Sequence, residues 1–388
     1  MLRTRTVRAA VAATVAAAVV AVLAACSPAA SGASGGGAPA AASDVAPGEG
    51  ATKIGVIAVG PRDDFGYNQA VHQGVEALRA EFPGIEVLDA YNIPEDDTAA
   101  TTMESMVAQG ATILFATSYG HLDAARQVAA AHPEVVVVHQ GGLLDPAPPN
   151  MGTYFGSVYE PVYLAGIAAG AATRTGKLGY VYAIPIPQTL ANINAFTLGA
   201  RSVRPDATVT AVSTTSWCDP ATQADRTASL LASGVDVMTQ HQDCTKTVIE
   251  ATEAAGAFTV GYHADASSLA PEGWLTGSEW DWGPLYTQIV RTAVAGDFVG
   301  SEFNGNYRAA MAGGENPFVA SAFGPSVTDA TKALVAAAAA DLAAGGSPFT
   351  GPVLAQDGSV VVPEGETPSV DVIEQMDYFV EGVVGTVS

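Results

Sequence analysis

From Thr52 onward short apolar runs alternate with longer amphipathic stretches, a pattern that restricts the chain to strands joined by crossover helices. The pattern is made twice. The first series puts strands at 53–59, 86–90, 112–116 and 135–139, with Ala-rich helices starting near Tyr67, Thr98 and His121. The second puts strands at 176–182, 208–213, 235–240 and 258–262, with helices starting near Gln188, Pro220 and Lys246. The expected class is therefore α/β, with two parallel-sheet units in tandem. The roughly 340 residues involved exceed the 250 to 300 at which single cores divide, so two lobes are expected. Parallel sheets place ligands beyond the carboxyl ends of their strands, and two such sheets facing each other enclose a cleft lined by strand-to-helix loops. The first lobe is expected to hold 52–157 plus about 280–324, and the second 158–279 plus about 325–388. Helix 283–295 then belongs to the first lobe and the Ala-rich helix 327–344 to the second, with three chain crossings forming the hinge.

Ahead of this body, Arg3, Arg5 and Arg8 precede an uncharged segment that ends Leu23-Ala24-Ala25-Cys26. A cationic start, an apolar middle and small residues before the cut describe a signal peptide over 1–25. The end looks like a bacterial lipobox, which makes Cys26 the lipidated first residue of a mature chain anchored to the outer face of the cell membrane. An uncleaved membrane helix ranks below this, because Cys26 closes the segment and a flexible tether of Ala, Ser, Gly and Pro follows over 26–51. The formal charge of −23 becomes about −26 without the three arginines and would repel phosphate-rich partners, so nucleic acid is excluded as a partner. Export leaves Cys218 and Cys244 in an oxidising compartment, where a disulfide and two free thiols both remain open.

The loops at the strand ends carry the candidate site. After the first strand come Asp64, Phe65, Gly66, Tyr67 and Asn68, an aromatic beside an amide at a helix start; after the third come Ser118 and Tyr119. An aromatic ring can cover a flat ligand while Asn68 reads a polar edge. Capping by Asp64, Asn68 or Ser118 with packed tyrosines is the ordinary alternative. In the second unit the ends bear Trp217 and Asp219, then His241 and Asp243, then His263 and Asp265, then Trp280 and Trp282. Asp219 before Pro220 suits a helix cap, but four successive polar or aromatic loops at one rim argue for recognition. Trp280 and Trp282 alternate in an extended segment, so one should face the cleft and the other pack behind it.

In Tyr67-Asn68-Gln69, Tyr159-Glu160 with Leu164-Ala165-Gly166, and the ending 378–385 the chain resembles the basic membrane lipoproteins, the purine-nucleoside-type solute-binding proteins of ABC importers. Asp64-Phe65-Gly66, Ser216-Trp217, Asp219-Pro220, Thr239-Gln240-His241 and Trp282-Gly283-Pro284 resemble a branch associated with free purines. The resemblance implies a two-lobed periplasmic-binding-protein type I fold with a three-stranded hinge, a purine ligand, an ABC permease as partner, a monomer, and no cofactor, metal or catalysis. It also implies that Tyr67 stacks on a purine and Asn68 bonds its edge, with Tyr119 or Trp217 on the opposite face and Asp64, Asp243 or Asp265 accepting from N–H groups. His263 with Asp265 stand where the nucleoside binders carry two acidic residues, and Trp280 where they carry a ribose-contacting lysine. A free nucleobase is therefore favoured over a nucleoside.

Three rivals remain from the sequence: a binding protein for a sugar or other small solute, a ligand sensor, and a purine-processing hydrolase. The pairs His241/Asp243 and His263/Asp265 fall short of a three-ligand zinc site, no His-Glu-x-x-His or P-loop occurs, and no Gly-x-Ser-x-Gly occurs beyond the Ala, Ser, Gly and Pro tether.

Overall fold

The computed structural model describes residues 45–387. Cys26 and the signal segment lie outside them. The end of the segment read as a tether is packed rather than free, since Gly48 N–H donates to the Glu134 carbonyl and Gly50 N–H to that of Val294.

The first series forms β1 (Lys53–Ile57), α1 (Tyr67–Glu81), β2 (Glu86–Ala90), α2 (Asp97–Ala108), β3 (Ile113–Ala116), α3 (Leu122–Ala131), β4 (Val136–Gln140) and β5 (Met151–Gly156). Helix α4 (Tyr159–Ala172) leads into the second: β6 (Lys177–Tyr182), α5 (Pro187–Val203), β7 (Thr208–Ser213), α6 (Pro220–Ala232), β8 (Val237–His241), α7 (Lys246–Ala254), β9 (Phe258–His263) and β10 (Trp274–Trp280). Then follow α8 (Trp282–Val294), β11 (Asn306–Ala309), β12 (Phe318–Ala320), α9 (Asp329–Ala343), the hairpin β13 (Val353–Leu354) and β14 (Val360–Val362), α10 (Val370–Ile373) and β15 (Val383–Val384).

The first sheet has the order β11-β5-β4-β3-β1-β2 and is parallel throughout. The second runs β12-β10-β9-β8-β6-β7-β15, with only β12 antiparallel. Helices cover both faces of such sheets, which is why β3 and β4 are buried at every position instead of alternating. In both sheets the order reverses beside the first strand of the unit, between β1 and β3 and between β6 and β8, and ligand crevices open at such switch points.

The architecture is the two-lobed periplasmic-binding-protein type I fold. Chain crossings differ from the sequence expectation at one place. Phe318 pairs with Trp280, so the third crossing comes before Phe318 and not near Gly324. Both Trp280 and Trp282 are buried, stacked on each other with centroids 4.1 Å apart, so neither faces open cleft.

Candidate functional site

The carboxyl ends of the two sheets face each other across a narrow slot. From the first sheet it is lined by Tyr67 after β1, Ser118 and Tyr119 after β3, Gln140 and Gly141 at the end of β4, and Phe155 on β5. From the second come Gln188 at the start of α5, Trp217 after β7, His241 and Asp243 at the end of β8, and Tyr262 and His263 closing β9. The slot has a volume of about 30 Å³ and adjoins a wider, mainly apolar chamber of about 300 Å³ past Tyr119, Gly141, Phe155 and Gln188.

The loop between β1 and α1 is built to be rigid. The Asp64 carboxylate accepts from the backbone N–H groups of Gly66, Asn68 and Gln69, at 2.9, 3.0 and 2.9 Å, and from Asn68 Nδ2 at 2.7 Å. Asn68 Oδ1 in turn accepts from Gly60 N–H. These bonds satisfy the open start of α1 and fix Tyr67 at the rim. The loop also touches the other lobe: Tyr67 N–H donates to the Asp243 carbonyl at 3.2 Å, and the Thr245 hydroxyl to the Phe65 carbonyl at 2.6 Å. A Cβ on Gly66 would lie 1.8 Å from the Asp243 carbonyl oxygen, so only glycine permits this approach. The lobes are thus in the closed arrangement.

Inside the slot, Tyr67 meets His263 edge-on at 5.0 Å, and Trp217 lies 6.0 Å from His241. Asn192 Nδ2 donates to the Tyr262 hydroxyl at 2.9 Å and reaches His241 Nδ1 at 3.3 Å. Burial pushes His241 down to about 3 and His263 well below the usual imidazole range, the latter with His241 adding repulsion, so both rings are neutral near pH 7. Asp243 is pushed well above the carboxylate range, first by burial and then by Asp64 and Glu95 nearby. Gln140 Oε1 accepts from the hydroxyls of Tyr154, at 3.1 Å, and Tyr286, at 2.9 Å, which fixes the amide. Two slot residues, Gln140 and His263, keep a buried polar nitrogen without a hydrogen-bond partner, Nε2 in each case. Orphaned buried groups of this kind each cost about 1–3 kcal/mol until something pairs with them.

Of the residues expected from the sequence, the slot brings together Tyr67, Ser118, Tyr119, Trp217, His241, Asp243 and His263. Asp64, Phe65 and Asn68 sit behind or beside it, spent on the loop and the contact between lobes. Tyr159 lines the chamber. Asp219 caps α6 through Ala221 and Thr222 N–H, and exposed Asp265 accepts from Ser267 N–H. Trp280 does not line the slot; it packs behind Phe155 and against Phe318, and its indole N–H donates to His263 Nδ1 at 2.9 Å. Gln140, Gly141, Phe155, Gln188 and Tyr262 were not anticipated. Gln140 and Gly141 follow directly from the expected fourth strand and carry the same positional signal as the other strand ends, whereas Phe155 lies on a strand with no apolar run and Tyr262 one residue before the loop that starts at His263. Cys218 and Cys244, left open by the sequence, are bonded to each other and tie the Trp217 loop to the Asp243 loop.

Residues 51–304 match the model of the family Bmp, described as ABC transporter substrate-binding protein, PnrA-like. The chain belongs to this family. A purine-binding protein of Brucella abortus is 31% identical over 85% of this chain and 92% of its own length. A Haloferax volcanii protein provisionally named an ABC transporter glucose-binding protein is also 31% identical, over 84% of this chain and 78% of its own. Among solved structures, a solute-binding protein of an ABC transporter system from Conexibacter woesei superposes with a TM-score of 0.63 at 22% identity, covering 76% of this chain and 97% of that one, a likeness of fold.

Bmp proteins are solute-binding proteins and not enzymes: they take a small molecule outside the cytoplasm and serve a transporter. The Bmp-like Glu160 and Leu164-Ala165-Gly166 are structural here. Glu160 accepts from Met311 N–H at 2.8 Å and Asn316 Nδ2 at 3.1 Å, holding the third crossing, and Gly166 lets α4 press against α5. Among the described residues no group of His, Cys, Asp and Glu is arranged to hold a metal ion, and no helix is long and apolar enough to cross a membrane.

Proposed function

We propose that this Bmp-family protein captures a purine in the interlobe slot, the free base ahead of the nucleoside, and delivers it to the permease of an ABC importer. The observation that carries the reading is a narrow slot with aromatic side chains from both lobes, Tyr67 and Phe155 on one side and Trp217 and Tyr262 on the other, edged by Gln140, His263 and Asp243. A flat ring sits about 3.5 Å from each wall of such a slot, leaving only a thin layer of free room. The observed volume of about 30 Å³ is of that order. Base-on-aromatic stacking contributes roughly 1 to 3 kcal/mol per contact, and micromolar affinity needs only about 8 kcal/mol, so two rings and a few hydrogen bonds suffice. The purine-binding relative supports the same ligand class. The free base is favoured because His263 and Trp280 stand where the resemblance puts a carboxylate and an ammonium to grip ribose hydroxyls, and the Trp280 indole N–H is spent on His263 Nδ1.

In this reading the mature protein is a monomer held to the outer face of the membrane by lipid on Cys26; Cys26→Ala is expected to move it from the membrane fraction to the medium. A thermal-shift panel of adenine, guanine, hypoxanthine, their nucleosides, glucose and other sugars tests the ligand. Stabilisation by bases supports the proposal, and a response to sugars alone overturns it. The second reading, a sugar ligand, is favoured by the similarity to the Haloferax volcanii protein and by the suitability of aromatic walls for sugar faces.

A further inference from the structure

His263 is held in a way that packing alone does not require. It ends β9 with φ at 74°, in the left-handed region that non-glycine residues enter at a cost and that clusters at functional sites. The parallel register of β9 and β10 pairs His263 with Glu279, which brings the next residue, Trp280, alongside it. An indole N–H can only donate, so the bond from Trp280 Nε1 obliges His263 Nδ1 to be an acceptor. In a neutral imidazole the proton is then on Nε2. That Nε2 is buried and has no partner, on a residue that lines the slot. Trp280 is itself clamped, stacked on Trp282 at 4.1 Å and packed against Phe318 at 4.3 Å.

We propose that His263 selects the ligand's edge: its Nε2–H donates to an unprotonated ring nitrogen or carbonyl oxygen of the bound heterocycle, and Trp280 is the positioning residue that fixes this tautomer. The proposal rests on the purine reading and adds to it which kind of atom the ligand must present. Because burial keeps the ring neutral, the donor does not change with pH across the physiological range. A ligand that offers C–H or N–H at that position meets a buried donor with nothing to bond, and is rejected. The residue at 280 thus acts on specificity without touching the ligand.

The test pairs calorimetric titration with nitrogen NMR on the full folded domain. Adenine, hypoxanthine, unsubstituted purine and the 1-, 3- and 7-deaza analogues are titrated into the parent protein, His263→Phe and Trp280→Phe. One acceptor removal is expected to cost the parent at least tenfold, and to cost His263→Phe less than threefold. Trp280→Phe keeps a ring in the core and is expected to shrink the same discrimination while still binding bases. Nitrogen shifts of His263 should report the Nε2-protonated tautomer in the parent and a mixture in Trp280→Phe, a change that a merely structural role for Trp280 would not produce. If Trp280→Phe does not fold, the parent spectrum and His263→Phe decide. An Nδ1-protonated parent, or deaza discrimination unchanged in His263→Phe while bases still bind, overturns the proposal alone. Absence of any purine binding with the Nε2 tautomer present overturns the purine reading beneath it.

Discussion

At the scale of single residues, Trp217 is a wall of the slot that lies half-buried on a loop anchored by the neighbouring disulfide. Trp217→Ala is expected to weaken purine binding by about 1 to 3 kcal/mol, roughly five- to 150-fold by titration, with little change in unfolding temperature. His139 offers a prediction about stability instead. It is fully buried between the carbonyls of Ser118, at 2.7 Å from Nε2, and Gly141, at 3.0 Å from Nδ1, and burial lowers it to about 4. Its folded pKa lies below the unfolded one, so the folded state is disfavoured as pH falls from about 6.5 to about 4. Measured by urea unfolding, the parent should lose about 1.4 kcal/mol per pH unit relative to His139→Gln across that window and level off below it; parallel curves would refute the assignment. Many of the slot residues were legible because strand ends in parallel sheets point at ligands whatever the family. Trp280 was misplaced because residues two apart in a strand share a face, so their spacing could not divide the pair between cleft and core, and because the strand ends at Trp280 while Trp282 already begins α8.

Among elements, the α4–α5 pair decides how the second lobe is put together. A Cβ on Gly166 would stand 2.3 Å from the Phe196 carbonyl oxygen, and the contact is backbone against backbone, so no side chain can yield. Gly166→Ala is therefore expected to destabilise the fold by about 1 to 3 kcal/mol in urea unfolding, without altering the slot. The mean burial of α4 hid its partner from the sequence: the helix is covered nearly all round and carries almost no amphipathic stripe to read. The first four strands of each unit were legible as apolar runs between helices. Strand β5, Met-Gly-Thr-Tyr-Phe-Gly, lacks such a run, and β11, β12 and β15 are short edge strands whose pairing depends on residues far away in the chain. Phe155, on β5, was not legible as a slot residue for that reason.

For the whole molecule, the closed arrangement depends on a loop of one lobe resting directly on the backbone of the other. Gly66→Ala puts a methyl group where the Asp243 carbonyl lies, and full closure becomes impossible without displacement. The variant is expected to fold normally, to show a larger radius of gyration by small-angle scattering in the presence of ligand, and to bind purine at least tenfold more weakly; a parent-like radius would contradict this. Two-lobed organisation was evident from the doubled alternation, whereas the place of the third crossing was not, because the antiparallel pairing of Phe318 with Trp280 is a matter of three-dimensional neighbourhood. The last strand carries a practical lesson. By pairing with β7, Val383 and Val384 shield the flank of the second sheet, with Gln356 Nε2 bonded to the Val383 carbonyl and Arg201 paired to Glu381. Trimming the carboxyl tail, or fusing a bulky tag tightly onto it, would strip that shield and leave bare peptide groups ready to recruit another chain, so affinity handles for this protein belong elsewhere.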